Sequence, residues 1–240
     1  MTSRLTETWV YLAQSPLLWL ALTVATYAGC ETLYRRLGRH PLLHPVLTSV
    51  VILVSLLLAS GTPYPRFFEG AQFIHFLLGP GIVALAVPLH RELHREQALA
   101  FPLSVALLAG SVTAVVTAVL TARLFGASRE TLLSLAPKSA TAPVAMGIAE
   151  KLGGLPSLAA SLVLLTGVLG AVIGPSLLRR LRVTDPAATG FALGVAAHGL
   201  GTARAFELDE TAGAFSGLGM GLNALATSLL VPALMRLLLP

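Results

Sequence analysis

The chain has 240 residues, 55% of them hydrophobic and 11% charged, with a mean hydropathy of +0.80. Soluble domains carry about 25% charged residues, so this composition excludes a water-soluble globular fold and places the chain in the membrane class. The formal net charge of +5 does not point to nucleic acid. The basic residues sit in short clusters between apolar runs, as in Arg35, Arg36 and Arg39 or Arg179, Arg180 and Arg182, which is how loops orient membrane helices.

The expected fold is an all-α polytopic membrane protein: one transmembrane domain over residues 1–240 with seven to eight hydrophobic segments, some broken or re-entrant. The first apolar run, Trp9 to Cys30, is too long for a cleavable leader and carries interfacial aromatics at Trp9, Tyr11 and Trp19. Cys30 is the one cysteine, which rules out an intramolecular disulfide or a thiolate metal site. A basic loop, Arg35 to His40, leads to a second run, Pro41 to Ser60, closed by the turn signal Gly61-Thr62-Pro63. Phe67 to Leu89 follows, with a helix break expected at Pro80 inside Gly79-Pro80-Gly81.

Ala98 to Leu124 reads as a long helix. Leu132 to Ala149 is broken by Pro137 and Pro143, and Leu155 to Leu178 reaches the arginine cluster. Thr189 to Phe206 contains Gly190, Gly194, Gly199 and Gly201, and breaks are expected at Gly199 and Gly201. The last run, Ala212 to Leu239, is glycine-rich in its first half. Small residues at such spacings let helix backbones approach closely in lipid.

A gapless shift of 57 residues sets Pro80 on Pro137, Ser104 on Ser161, Gly110 on Gly167, Ala114 on Ala171 and Arg123 on Arg180. The shift is either a structural repeat of the kind carriers use or coincidence in a Leu/Ala-rich chain. Charge parity adds a constraint. If every apolar run crosses and Arg35–Arg39 lies inside, Arg179–Arg182 falls outside, against the positive-inside tendency. One re-entrant segment, either 67–89 or 132–149, restores it and puts the acidic loop Glu207–Glu210 outside.

Polar residues within apolar runs mark where chemistry can occur. Pro137-Lys138-Ser139-Ala140-Thr141-Ala142-Pro143 is the most informative stretch. Proline removes a backbone donor and disfavours helix at the residue before it. The freed peptide groups are tolerated at membrane depth only against protein or a watery cavity. Lys138 is about 13 Å beyond Arg129 along a helical path. Two readings stand: it snorkels or pairs with Glu150 or Glu207, or it binds an anion with Ser139 and Thr141.

His198 and Thr202 share a helix face at i, i+4, and His198 can bind an anion, carry a proton or hold a backbone carbonyl. Arg204 either pairs with Glu207 or binds a carboxylate with its fork. Asn223 is read as an interhelical hydrogen bond. The remaining histidines lack ligand spacing, so no metal site is expected. No nucleophile elbow, Walker loop, dinucleotide fingerprint or HExxH motif is present, and no enzyme, catalytic residue or cofactor is expected.

Leu135-Ala-Pro-Lys-Ser-Ala-Thr-Ala-Pro143, Leu152-Gly-Gly-Leu-Pro-Ser157, Thr166-Gly-Val-Leu-Gly170 and Ala197-His-Gly-Leu-Gly-Thr-Ala203 together resemble the LrgB/CidB family of antiholin-like bacterial membrane proteins. The resemblance runs from about Leu42 onward. Ala142 and Ala197 depart from the family pattern, which usually carries threonine and serine there. The resemblance implies a transporter of small monocarboxylates such as pyruvate, glycolate or glycerate. Lys138, Ser139, Thr141, His198, Thr202 and Arg204 would then be the substrate-binding residues. It also implies multi-pass residence in the inner (plasma) membrane and a small LrgA/CidA-type partner or a homo-oligomer. The alternative is an antiholin-like regulator of murein hydrolase activity and lysis, acting through membrane-protein assembly.

Overall fold

The computed structural model describes residues 15–39, 43–77, 80 and 93–239, with the backbone alone described at 75 and 93–99. Nine α-helices are defined among them: α1 (Pro16–Arg36), α2 (Pro45–Ser60), α3 (Tyr64–Phe76), α4 (Leu93–Leu124), α5 (Arg129–Leu135), α6 (Ala142–Leu152), α7 (Pro156–Arg180), α8 (Pro186–Leu208) and α9 (Glu210–Leu238). Four spans, Pro16–Arg36, Ala100–Leu124, Pro156–Arg180 and Glu210–Leu238, are long and apolar enough to cross a bilayer. The break expected at Gly79-Pro80-Gly81 lies outside the described residues apart from Pro80 itself, as do Trp9 and Tyr11.

The helices fall into two compact units, α1–α3 and α4–α9. In the first, α1 continues past Cys30 to Arg36, because no helix breaker intervenes and Glu31 pairs with Arg35 at i, i+4. Trp19 is buried and meets Phe67 edge-on at 5.9 Å. Gly70 of α3 abuts the α1 backbone so closely that a Cβ there would lie 2.9 Å from Leu20 N. The turn read from Gly61-Thr62-Pro63 is present: Gly61 ends α2 in the left-handed conformation, at φ 62° and ψ 21°.

The second unit has a less obvious topology. Helix α8 is not a crossing. At Ala197 (φ −128°, ψ 15°) and His198 (φ 43°, ψ −132°) the backbone leaves the helical region, and the chain turns back on itself. A Cβ on Gly201 would lie 3.0 Å from the carbonyl carbon of Leu193, eight residues earlier; in a straight helix those residues stand about 12 Å apart. Gly190 then sits against the backbone of Ala212, and Gly194 against that of Ser216, so the first arm of α8 runs parallel to the start of α9.

Arg179–Arg182 and Glu207–Glu210 therefore lie at the same end of this unit. This corrects the expectation that residues 189–206 cross the membrane and separate the two loops. The physical reason is the reversal at Ala197–His198. Residues 189–206 are thus a broken segment among the seven to eight hydrophobic segments expected, and four of the described helices are long and apolar enough to cross.

A second hairpin faces the first. Helices α5 and α6 form its arms and residues 136–141 its tip. The chain returns so that Leu155 N, just beyond α6, donates to Ser134 Oγ of α5 at 2.8 Å. Ser111 of α4 bonds Asn223 of α9, and Arg123 Nη1 bonds Leu238 O at 2.7 Å, so α4 and α9 are parallel. Gly170 and Gly174 of α7 sit against Ala197 and Leu193, so α7 runs opposite to the first arm of α8, and hence opposite to α4.

A long helix followed by a half-depth hairpin thus occurs twice with inverted direction, α4 with α5–α6 and α7 with α8. The 57-residue shift pairs these long helices residue for residue, with Gly110 on Gly167 and Arg123 on Arg180. Inverted repeats of this kind place broken helices at the bilayer midplane.

The core is layered. Near the Arg180 end, Ala187, Phe191, Val195 and Phe215 pack with Leu103 and Leu107. Near the Arg123 end, Val115, Val119, Leu132, Leu133, Ile148, Val231 and Met235 form a second cluster. Between them lies a buried polar layer: Ser111, Ser139, His198, Thr202, Ser216, Asn223 and Thr227. The hairpin tips end in that layer.

Candidate functional site

The first tip is built by its prolines. Ser128 caps α5, its Oγ accepting from Thr131 N at 3.3 Å. Pro137 forces an exit from that short helix, and Pro143 occupies the first turn of α6, with Thr141 as its extended N-cap residue. Turn bonds, Lys138 N to Leu135 O and Ala140 N to Pro137 O, both 3.0 Å, hold the strip between.

Asn223 anchors it. Its Nδ2 donates to Ser139 O at 2.9 Å, while Oδ1 accepts from Ser111 Oγ at 2.7 Å and Thr227 Oγ1 at 3.3 Å. A carboxamide 1% exposed thereby supplies the tip with the partner that lipid cannot.

Lys138 leaves this strip half-buried, and Nζ reaches Ser139 Oγ at 3.4 Å. Among the described residues no carboxylate pairs with it: Glu207 is taken by Arg204. Lys138 and Ser139 line a cavity of about 910 Å³ bounded by α4, α7 and the first arm of α8. Its walls are largely apolar, including Ala106, Leu165, Leu169 and Phe191, with Thr166 as a further hydroxyl and Asp185 toward the Arg180 end. Asp185 also caps α8, accepting from Ala188 N at 2.9 Å.

The second tip is held differently. His198 Nε2 donates to Val163 O of α7 at 3.0 Å, which fixes the ring proton on that nitrogen. Gly167 makes room for the ring, since a Cβ there would stand 2.6 Å from His198 Cε1. Thr202 Oγ1 lies 2.9 Å from His198 O and 3.0 Å from Ser216 Oγ.

The sequence-derived site residues are therefore divided. Lys138 and Ser139 meet in the cavity wall. Thr141 stands at the N-cap position of α6 without a side-chain bond to its backbone, His198 and Thr202 hold the opposite tip, and Arg204 pairs with Glu207 at i, i+3 on the returning arm. The reversal falls at Ala197–His198 and the helix resumes by Gly199; Gly201 serves the close packing of the two arms.

Asn223 is the site component that polarity alone undervalued. A stronger signal was available in the i, i+4 series Phe215, Gly219, Asn223, Thr227, Val231 and Met235, which is buried throughout. A carboxamide midway along a core-facing stripe has to serve a partner. Among the described residues no group of three His, Cys, Asp or Glu side chains could hold a metal ion.

Long apolar helices enclosing two opposed half-depth hairpins define an integral membrane protein of inverted-repeat architecture. The LrgB-like family profile matches residues 23–237, and the chain belongs to that family. Relatives include YxaC of Bacillus subtilis strain 168, 37% identical over 89% of this chain and 92% of its own length. The holin-like protein CidB of Staphylococcus epidermidis is 32% identical over 92% of this chain and 96% of its own length. CidB of Staphylococcus aureus is 32% identical over the same shares. No solved structure matches the chain.

Proposed function

We propose that this protein is a carrier of small monocarboxylates of the pyruvate, glycolate or glycerate type in the plasma (inner) membrane. The observation that carries this reading is Lys138: an ammonium at a hairpin tip, in the wall of an apolar cavity, with no carboxylate partner among the described residues. A cation at such a depth is costly unless an anion completes it. Ser139 stands beside it as a hydroxyl donor. The inverted hairpins supply two elements that can rock around a fixed midplane site.

His198, Thr202 and Arg204 act on the anion through the position of the second tip, and no cofactor enters the scheme. Walls of Ala, Leu, Phe and Val favour a keto acid such as pyruvate over a hydroxylated acid, whose extra hydroxyls would lose water without replacement.

The test is uptake of labelled pyruvate and glycolate into proteoliposomes by wild type, Lys138→Ala and Lys138→Arg. Saturable uptake lost in Lys138→Ala, with folding and membrane level unchanged, is the expected result. Wild-type vesicles that take up neither acid, with or without a small LrgA/CidA-type partner, overturn it.

The holin-like names of the staphylococcal relatives favour a second reading, regulation of murein hydrolase activity and lysis through membrane assembly. On the glycine-rich half of α9, Gly213 and Gly219 are covered by Phe206 and Phe191 of the same chain, and Gly221 faces open space.

A further inference from the structure

Lys138 belongs to two hollows. Besides the large cavity, it lines a shallow groove of about 380 Å³ with Thr117, Ala118, Thr121, Ala122 and Leu135. The two differ in direction. Along α4 the cavity is lined by Pro102, Ala106, Gly110 and Ala114, and it reaches Asp185 at the Arg180 end. The groove begins at Thr117, one helical turn further on, and runs toward Arg123. Ala114 and Thr117 are separated by a rise of only about 4.5 Å, so a single turn of α4 and the Lys138 side chain stand between the hollows.

The groove gathers small and hydroxyl-bearing residues of that helix surface beside Lys138. The large exposed apolar positions of α4, Phe101, Val105, Leu108, Leu120 and Leu124, are interspersed with small and hydroxyl-bearing ones, Ser104, Ala106, Ala109 and Thr113. Here two hydroxyls and two alanine methyls leave a hollow with polar edges. Thr117 Oγ1 bonds Thr113 O at 2.6 Å, which leaves its lone pairs for water and no unsatisfied group of its own. Lysine is suited to a shared wall, because its compact charge rides on a flexible four-carbon stem.

Resting on the carrier reading above, we propose that the Thr117–Thr121 groove is the second half of the carboxylate path, opening at the Arg123 end. The Lys138 ammonium is the partition that hands the anion from one hollow to the other. The carboxylate never leaves its counter-charge; the stem swings while the hairpin tip stays pinned by Asn223.

The experiment uses the full chain in vesicles on a Cys30→Ser background, which removes the one native thiol. Ala106→Cys reports the cavity, Thr121→Cys reports the groove, and Ala118→Cys is a second groove probe should one variant misfold. A membrane-impermeant, anionic methanethiosulfonate is applied from either side. Ala106→Cys is expected to react from one face and Thr121→Cys from the other, and modification of Thr121→Cys is expected to abolish pyruvate uptake. Pyruvate at ten times its half-saturating concentration should slow both reactions about tenfold by mass action.

If uptake by the Cys30→Ser protein persists but Thr121→Cys and Ala118→Cys are unreactive, or react from the same face as Ala106→Cys, the groove is not a path. The carrier reading would then stand without it. If that protein transports nothing while the wild type does, the same probes are placed in the wild-type background. Absence of uptake by the wild type removes the carrier reading and this proposal together.

Discussion

The two hairpins reach the same buried layer by opposite means. In α5–α6 the break is covalent: Pro137 and Pro143 stop helix on both sides of the tip, so the local sequence would open the chain in any surroundings. In α8 no breaker stands at the turn. Ala197 and His198 are ordinary residues, and His198 adopts φ 43° with ψ −132°, a region natural to glycine that costs a side-chain-bearing residue about 1–3 kcal/mol. That tip is held by its neighbours, through the His198–Val163 bond, the seat at Gly167 and the backbone contact with α9. A tip broken by its own sequence can present a charged side chain to a cavity. A tip imposed by packing needs its side chain to hold the turn, and its histidine is turned into protein.

This contrast is best broken at its strongest point. Gly194→Val puts a Cβ into the backbone of Ser216, an obstacle no rotamer change relieves. Overpacking costs about 1–3 kcal/mol where side chains can yield. Here size-exclusion chromatography of the detergent-extracted protein should show no folded peak, whereas Gly147→Val on α6, where a Cβ meets nothing, should be recovered normally.

Asn223→Leu comes next. It orphans Ser139 O and the Ser111 hydroxyl, with an expected loss of about 1–3 kcal/mol seen as a lower melting temperature. The half-saturating pyruvate concentration should rise, because the Lys138 strip loses its anchor; a change in melting alone would mean that the amide supports packing only.

The second tip can be sharpened by pairing His198→Ala with His198→Gly. Both lose the bond to Val163, but only glycine relaxes the backbone, so His198→Gly should melt higher by about 1 kcal/mol. Equal melting would show that the turn carries no strain. The smallest effect is expected of Thr202→Val, about 1 kcal/mol, since Ser216 can rotate toward another acceptor.

Much of this architecture could be read from residue types, and the limits follow the same contrast. Composition gave the membrane class and prolines gave the first break, because both act locally. The 57-residue shift carried the long-helix part of the repeat, though its Pro80 match falls among residues 78–92, where Pro80 alone is described. At the second hairpin, sequence pointed to Gly199 and Gly201 as breakers. Glycine permits both a bend and a close approach, and only tertiary contact decides between them. The chain bends at the preceding residues and uses Gly201 for approach. Lys138 stood out as a charge in an apolar run, and Asn223 was legible as an interhelical hydrogen bond, as its bond to Ser111 shows; its hold on Ser139 O was not, because that partner lies 84 positions away.

Arm length has a consequence for how the protein is made. Helix α5 has seven residues and α6 eleven, about 10 and 16 Å against a hydrocarbon core of about 30 Å. Neither arm can be handed to lipid as an independent stop, and a bare tip would enter it with unsatisfied peptide groups. During synthesis the first hairpin emerges before α9, which carries its Asn223 anchor. It must wait at the interface, or in the shelter of the insertion machinery, for almost 90 further residues. A helix translated later completes the earlier hairpin, so a chain truncated before α9 should be a substrate for membrane proteolysis even though its earlier long helices are intact.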